Sequence, residues 1–287
     1  MRRARLAATV LAALATWVGT AMAIPHAADQ GRVPTHVFRV WPLGDSITNG
    51  TLEPNKGVGG GYRGFLDADL QAAGISHQFV GSMSTNPLPT LQARGQQRHE
   101  GHPGFRVADI AAGINGPVVA RGYHGGWWLR HVDPDLVLIH LGTNDMVRPL
   151  ARQLGIKTAY TSPALTAKER GPFIARLTGS LQALVEQVHS QRPRAIVVLA
   201  TVTPLGHDVC DVLSPLYADA VRHLVLRERA AGMRIVLADI WSAFTARTNG
   251  KCTLVPDLMA DDGVHPTSRG YAVMAHVFEL AIAQVAG

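Results

Sequence analysis

The chain has 287 residues and a formal net charge of +6, with 27 Lys and Arg, 21 Asp and Glu, and two cysteines. Arg2, Arg3 and Arg5 account for half of that excess, so the chain beyond them carries about +3 and has no basic block or basic-aromatic strip. That excludes nucleic acid as an expected partner.

Residues 6–18, uncharged and mostly apolar, follow the three arginines and lead to Ala21-Met22-Ala23. This is the layout of a secretory signal with its small-x-small cleavage site. The run is too short for a spanning helix of about 20 residues, so no stable membrane insertion of the mature chain is expected. The expected location is secreted or periplasmic. We read residues 1–23 as signal, 24–35 as a loose Pro- and Ala-containing leader, and 36–287 as one domain, since no internal repeat or long low-complexity linker interrupts it.

Apolar runs of strand length stand at 37–43, 78–81, 135–141, 194–200 and 234–238. Leu136-Val137-Leu138-Ile139 and Ile196-Val197-Val198-Leu199 are apolar at successive positions, so both faces of those strands should be covered. Helical stretches are read at 62–73, 107–120, 172–190, 214–231 and 268–285, with Gly74 and Gly232 as stop signals. Alternation of the two predicts an α/β fold, a three-layer sandwich with a parallel sheet of about five strands. In such sheets ligands sit beyond the carboxyl ends of the strands.

The unusual polar residues gather at that edge. The first strand runs directly into Gly44-Asp45-Ser46-Ile47-Thr48, where a serine is either a nucleophile or a helix cap. In Asp262-Gly263-Val264-His265-Pro266, a carboxylate three residues before a histidine can accept the Nδ1 proton and leave Nε2 free to take one from a serine. The structural alternative is a surface turn. Gly142-Thr143-Asn144-Asp145 brings an amide to the rim, and Glu100-Gly101-His102-Pro103-Gly104-Phe105 offers a glycine N–H; both are donor types that stabilise an oxyanion. Their structural alternatives are a turn or cap for Asn144 and a tight bend for Gly104.

These four segments, in this order, resemble the SGNH or GDSL-like hydrolase superfamily over roughly residues 39–281. The resemblance implies Ser46 as nucleophile, His265 as base and then acid, and Asp262 as its orienting carboxylate. It also implies an oxyanion hole from the Ser46 N–H, the Gly104 N–H and the Asn144 amide, on a flavodoxin-like fold with no cofactor and no metal. Asp261 competes for the orienting role, but its spacing from His265 does not match the family pattern. A closer likeness is to carbohydrate esterase family 3, with its acetyl xylan esterases. It is carried by residues 42–48, Gly61-Tyr62-Arg63, Phe79-Val80-Gly81-Ser82, residues 99–104 and residues 138–145. It implies an acetyl-removing esterase acting on a polysaccharide such as xylan. The long segment 146–171 departs from that pattern and is read as extra wall or lid. The rival readings are a lipase, lysophospholipase or arylesterase on the same scaffold, and a carbohydrate-binding protein without turnover. Oligomeric state is not readable.

Other signals are assigned to structure. Gly59-Gly60-Gly61-Tyr62-Arg63-Gly64 has the letters of a dinucleotide fingerprint but does not follow the first strand directly, and no acid ends the second strand. His99-Glu100-Gly101-His102 lacks the two-His spacing of a zinc helix. Asp45, Tyr62, Arg63 and His102 are expected to support the pocket or the substrate: Tyr62 and Arg63 as a brace, His102 lining the acyl pocket or holding the Gly104 turn. Trp127-Trp128 reads as core packing, and the sequon Asn49-Gly50-Thr51 as coincidence beside the proposed nucleophile. Cys210 and Cys252, in an exported chain, can form a disulfide or remain two thiols.

Overall fold

The computed structural model describes residues 36–51, 59–146, 148–149, 160–161, 165–205, 213–248 and 251–286. The proposed signal and leader, Cys210 and hence any Cys210–Cys252 bridge, and most of segment 146–171 lie outside the described residues.

In chain order the elements that position the site are β1 (Phe38–Gly44), α1 (Ser46–Asn49), α2 (Tyr62–Ala72), β2 (His77–Phe79), α3 (Pro89–Ala93), β3 (Glu100–Gly101), α4 (Val107–Asn115), β4 (Pro117–Ala120), β5 (Tyr123–Gly126), β6 (Leu136–His140) and α5 (Thr143–Met146). After the short strands β7 (Arg148–Pro149) and β8 (Tyr160–Thr161) come α6 (Ala167–Gln191), β9 (Ile196–Ala200), α7 (Leu213–Ala230) and β10 (Ile235–Ala238). The chain closes with α8 (Ile240–Phe244), β11 (Thr245–Thr248), β12 (Lys251–Leu254) and α9 (Ser268–Ala286).

The central sheet runs β10-β9-β6-β1-β2, with β3 also paired to β1, and its pairings are parallel. Successive strand residues enter opposite layers, because side chains alternate across a sheet. Trp41, Leu43, Val137, Ile139, Val197 and Leu199 pack with α4, α6 and α7, while Val40, Leu136, Leu138, Ile196 and Val198 pack with α2 and α9. The expected three-layer α/β sandwich is therefore the observed fold.

Three boundaries differ from expectation, each for a local reason. The helix expected at 107–120 ends at Asn115: Gly116 is extended, Pro117 cannot donate to a preceding helical carbonyl, and β4 and β5 form an antiparallel hairpin. The helix expected from 172 starts at Ala167, where Thr166 and Glu169 form a capping box; the Thr166 N–H and hydroxyl donate to the Glu169 carboxylate over 2.8 and 2.7 Å. Glu100-Gly101, too short to read as a strand, adds to the edge of β1.

That last pairing sets the site. Gly44 stands opposite Gly101 on one side and His140 on the other. The chain segments leaving β1, β3 and β6 therefore emerge side by side, carrying Ser46, Gly104 and Asn144. Gly44 itself admits no side chain: a β-carbon there would lie 2.2 Å from Thr48 Oγ1 and 2.7 Å from the His140 carbonyl.

Candidate active site

Asp45, rather than Ser46, caps α1. Its Oδ1 accepts from the Ile47 N–H at 2.9 Å, which satisfies one of the donors a helix start leaves unpaired. The Ser46 side chain is thus available for another partner, and Ser46 Oγ lies 2.9 Å from His265 Nε2. Both residues are buried.

His265 is held by a short closed loop. Met259 and Pro266 form a bridge, the Ala260 N–H donates to the His265 carbonyl at 2.9 Å, and Thr267 Oγ1 receives the Gly270 N–H at the start of α9. Within the loop, Asp262 Oδ1 accepts from the Val264 and His265 N–H groups at 2.9 Å each, and Asp262 Oδ2 meets His265 Nδ1 at 2.5 Å. Burial disfavours the charged carboxylate, but the ring and the two N–H groups outweigh it and hold the Asp262 carboxyl below its ordinary range. An ionised Asp262 accepts a hydrogen bond from Nδ1–H and so leaves Nε2 as the acceptor facing Ser46. The carboxylate at Nδ1 is Asp262, not its neighbour Asp261.

On the other side, His102-Pro103-Gly104-Phe105 closes a tight turn in which the Phe105 N–H donates to the His102 carbonyl at 3.1 Å. Gly104 has φ of +79°, the value a type II turn demands at its third residue, with Pro at the second. The Gly104 N–H has no hydrogen-bond partner among the described residues. Asn144 ties the three segments together, since its Nδ2 donates to Asp45 Oδ2 at 3.2 Å and to the Phe105 carbonyl at 3.0 Å. Asp45 is fully buried, and desolvation pushes its carboxyl up to about 7 against the stabilising Ile47 N–H and the nearby His265. Asp145, next to Asn144, is pushed up to about 6 by burial, opposed by the Val107 N–H.

Tyr62 and Arg63 brace this floor from α2. The Tyr62 hydroxyl lies 3.3 Å from Thr48 Oγ1, and the Arg63 guanidinium donates to the carbonyls of Thr48, Asn49 and Gln97. Burial lowers Arg63 to about 10. His102 sits beneath the Gly104 turn, its backbone N–H on the Gly44 carbonyl and its Nε2 2.7 Å from Glu100 Oε1, with its ring stacked between Phe105 and Trp128.

Trp128 is buried as expected of a core residue, whereas Trp127 is half-buried with Arg130 stacked 3.6 Å over its ring. The Asn49 side chain is engaged by Thr51 and Thr85. His99 accepts the Gly101 N–H at Nδ1, and its Nε2 lies 3.0 Å from the Thr85 carbonyl. The glycines before Tyr62 enter α2 and not the turn after β1. Sequence reading missed the Asp45–Asn144–Phe105 bridge; the signal available was a carboxylate and an amide placed at matching ends of two strands.

Residues 43–273 match the family model described as GDSL-like lipase/acylhydrolase. A multidomain esterase of Ruminococcus flavefaciens is 26% identical over 248 residues, covering 83% of this chain and 27% of that protein, so the chain spans about a quarter of that relative's length. Among solved structures, a family 3 carbohydrate esterase from Clostridium thermocellum is similar with a TM-score of 0.59 at 24% identity, covering 88% of this chain and 98% of its own. One from Talaromyces cellulolyticus has a TM-score of 0.60 at 24% identity, covering 87% and 98%. A catalytic mutant of an acetylxylan esterase from Geobacillus stearothermophilus has 0.53 at 19%, covering 85% and 94%. At such identities these three structures speak to the fold.

Proposed function

The chain belongs to the GDSL-like lipase/acylhydrolase family and is a carboxylic ester hydrolase, and from that premise we propose that it is a secreted serine esterase that removes acetyl groups from a polysaccharide such as xylan. The observation that carries the proposal is the continuous chain of contacts from Ser46 Oγ through His265 to Asp262.

In this reading His265 Nε2 takes the Ser46 proton as Oγ attacks the ester carbonyl. Asp262 stabilises the imidazolium that forms. The carbonyl oxygen becomes an oxyanion facing the Ser46 and Gly104 N–H groups, and the Asn144 amide shares one of its hydrogens, which otherwise serve Asp45 and Phe105. Collapse of the tetrahedral species expels the sugar alkoxide, which receives the proton from His265. Water, deprotonated by the same ring, then hydrolyses the acyl-serine and restores the free enzyme. Each oxyanion donor is worth about 2.7–4 kcal/mol of transition-state stabilisation.

The carbohydrate substrate is supported by the likeness to family 3 carbohydrate esterases and to an acetylxylan esterase. Secretion is supported by the basic start, apolar run and Ala21-Met22-Ala23 pattern. Among the described residues no helix is long and apolar enough to cross a membrane. Acetate release from acetylated xylan, set beside hydrolysis of aryl esters of increasing acyl length, tests the substrate. Release of acetate with a steep fall beyond short acyl groups is expected; preference for long acyl chains and no acetate release would favour a lipase.

A further inference from the structure

Deepening the Ser46 esterase reading, on which it rests, we propose that Arg121 is a specificity residue that receives a carboxylate on the sugar part of the substrate, so that the preferred ester is that of an acidic sugar. β4 and β5 are joined by Arg121-Gly122, and both residues have positive φ, +51° and +79°. That is the two-residue hairpin turn which favours Asn, Asp or Gly at its first position, because a side chain with a β-carbon is strained there. Arg121 occupies it nonetheless. Strain held in one residue at the rim of a site is a reason to ask what its side chain does.

The side chain lies on Gly104. A β-carbon on Gly104 would meet Arg121 Cδ at 2.9 Å, Nε at 3.1 Å and Cζ at 3.2 Å, so the guanidinium rests directly against the glycine that supplies the candidate oxyanion N–H. The hairpin is anchored behind it. The Tyr123 hydroxyl accepts from Trp128 Nε1 at 3.0 Å, and its ring meets His102 edge-on at 4.4 Å. Arg121 is exposed and has no hydrogen-bond or ion-pair partner among the described residues. Other arginines near the sheet have partners: Arg39 pairs with Asp133 and Asp135, Arg222 with Asp219 and Asp239, and Arg63 with three carbonyls.

A guanidinium is always charged and presents its donors as a planar fork matched to a carboxylate. Carried on a short hairpin and resting against Gly104, it stands where it can reach a group that the substrate carries next to the scissile ester. A neutral sugar would leave that charge unanswered. A uronate, with its planar anion on the ring that bears the acyl group, would pair with it. The effect belongs in substrate binding, because the carboxylate is present equally before and during acyl transfer.

The test compares two matched esters, an O-acetylated methyl glucuronoside and the corresponding O-acetylated methyl glucoside, which differ only by carboxylate against hydroxymethyl. The parent chain is expected to favour the uronate by roughly ten- to a hundredfold in kcat/KM, the size of a charge-assisted hydrogen-bonded pair. Arg121→Gln should abolish that preference through KM, bringing the ratio of kcat/KM for the uronate over the neutral ester to about one, and Arg121→Lys should keep part of it. Absence of preference in the parent, or an equal fall for both esters in Arg121→Gln, overturns the proposal. Binding of the two deacetylated glycosides, measured calorimetrically on parent and Arg121→Gln, reads the same preference without turnover. Hydrolysis of neither ester would therefore count against the Ser46 reading, while the glycoside binding still decides the role of Arg121.

Discussion

Among the described residues three buried histidines lie against carboxylates, and they differ in what occupies the rest of the ring. His265 meets Asp262 at 2.5 Å, His102 meets Glu100 at 2.7 Å and His77 meets Asp67 at 3.0 Å. His77 Nδ1 lies 3.1 Å from the Ile75 carbonyl, and the His102 ring is stacked between two aromatic side chains. His265 alone of the three turns its second nitrogen to a serine hydroxyl. A histidine–carboxylate pair is thus an ordinary way to bury two polar groups; chemistry enters when the other nitrogen faces a group that can give up a proton at the carboxyl edge of the sheet.

Variants at two of the three pairs test that contrast. Ser46→Ala should cost on the order of 10⁶ in kcat, by analogy with loss of a triad nucleophile, with the thermal transition unchanged; assay of an aryl acetate together with calorimetry checks both. Asp262→Asn should lower kcat on the order of 10⁴-fold through the wrong tautomer, while Asn Oδ1 still accepts the Val264 and His265 N–H groups and preserves the loop. A loss of less than about tenfold would remove Asp262 from the orienting role. Glu100→Ala should do the opposite. It strips partners from His102 and from the Ser82 N–H and hydroxyl, so stability should fall by about 1–3 kcal/mol for each group left unsatisfied, read by denaturant unfolding, with a loss in kcat far smaller than that of Asp262→Asn at temperatures where the variant is folded.

Another buried histidine extends the contrast, because neither of its nitrogens has a hydrogen-bond partner among the described residues. His140 lies at the end of β6, and burial lowers it to about 4. An unfolded imidazole titrates near 6.5, so between those values the unfolded chain binds the extra proton. The stability from a neutral His140 is present above about pH 6.5 and is lost as pH falls toward 4, amounting to about 3 kcal/mol. Asp45 runs the other way, since its raised folded value, about 7, favours the fold on acidification. The difference between parent and His140→Leu therefore isolates the histidine: the variant should gain relative to the parent as pH is lowered across that window, in denaturant unfolding at stepped pH.

The sheet and the order of its reactive loops were legible from sequence because both follow from local pattern. Fully apolar runs mark strands covered on both faces, and Gly44-Asp45-Ser46, Gly104, Asn144 and Asp262-x-x-His265 each sit at the end of such a run or just before a helix. The contacts that were not legible depend on register. Asp45 reaches Asn144 only because β1 and β6 pair with Gly44 opposite His140. Glu100 pairs with His102 because the two stand two residues apart, on either side of Gly101, where the chain is extended by the pairing of β3 with β1 and side chains two apart share a face. The first strand of the hairpin was hidden at the end of an apparent helix, 107–120, although Pro117, the β-branched Val118 and Val119, and Gly122 all spoke for strand and turn. Arg121 could not have been singled out without that hairpin.

The central claim is that Ser46 is a nucleophile activated by His265, and covalent labelling tests it most directly. Incubated with a fluorophosphonate, the parent chain should gain one adduct, located by mass spectrometry on the peptide that contains Ser46, absent in Ser46→Ala and formed far more slowly in His265→Ala. A parent chain that stays unlabelled, or an adduct on a different serine, would contradict the account.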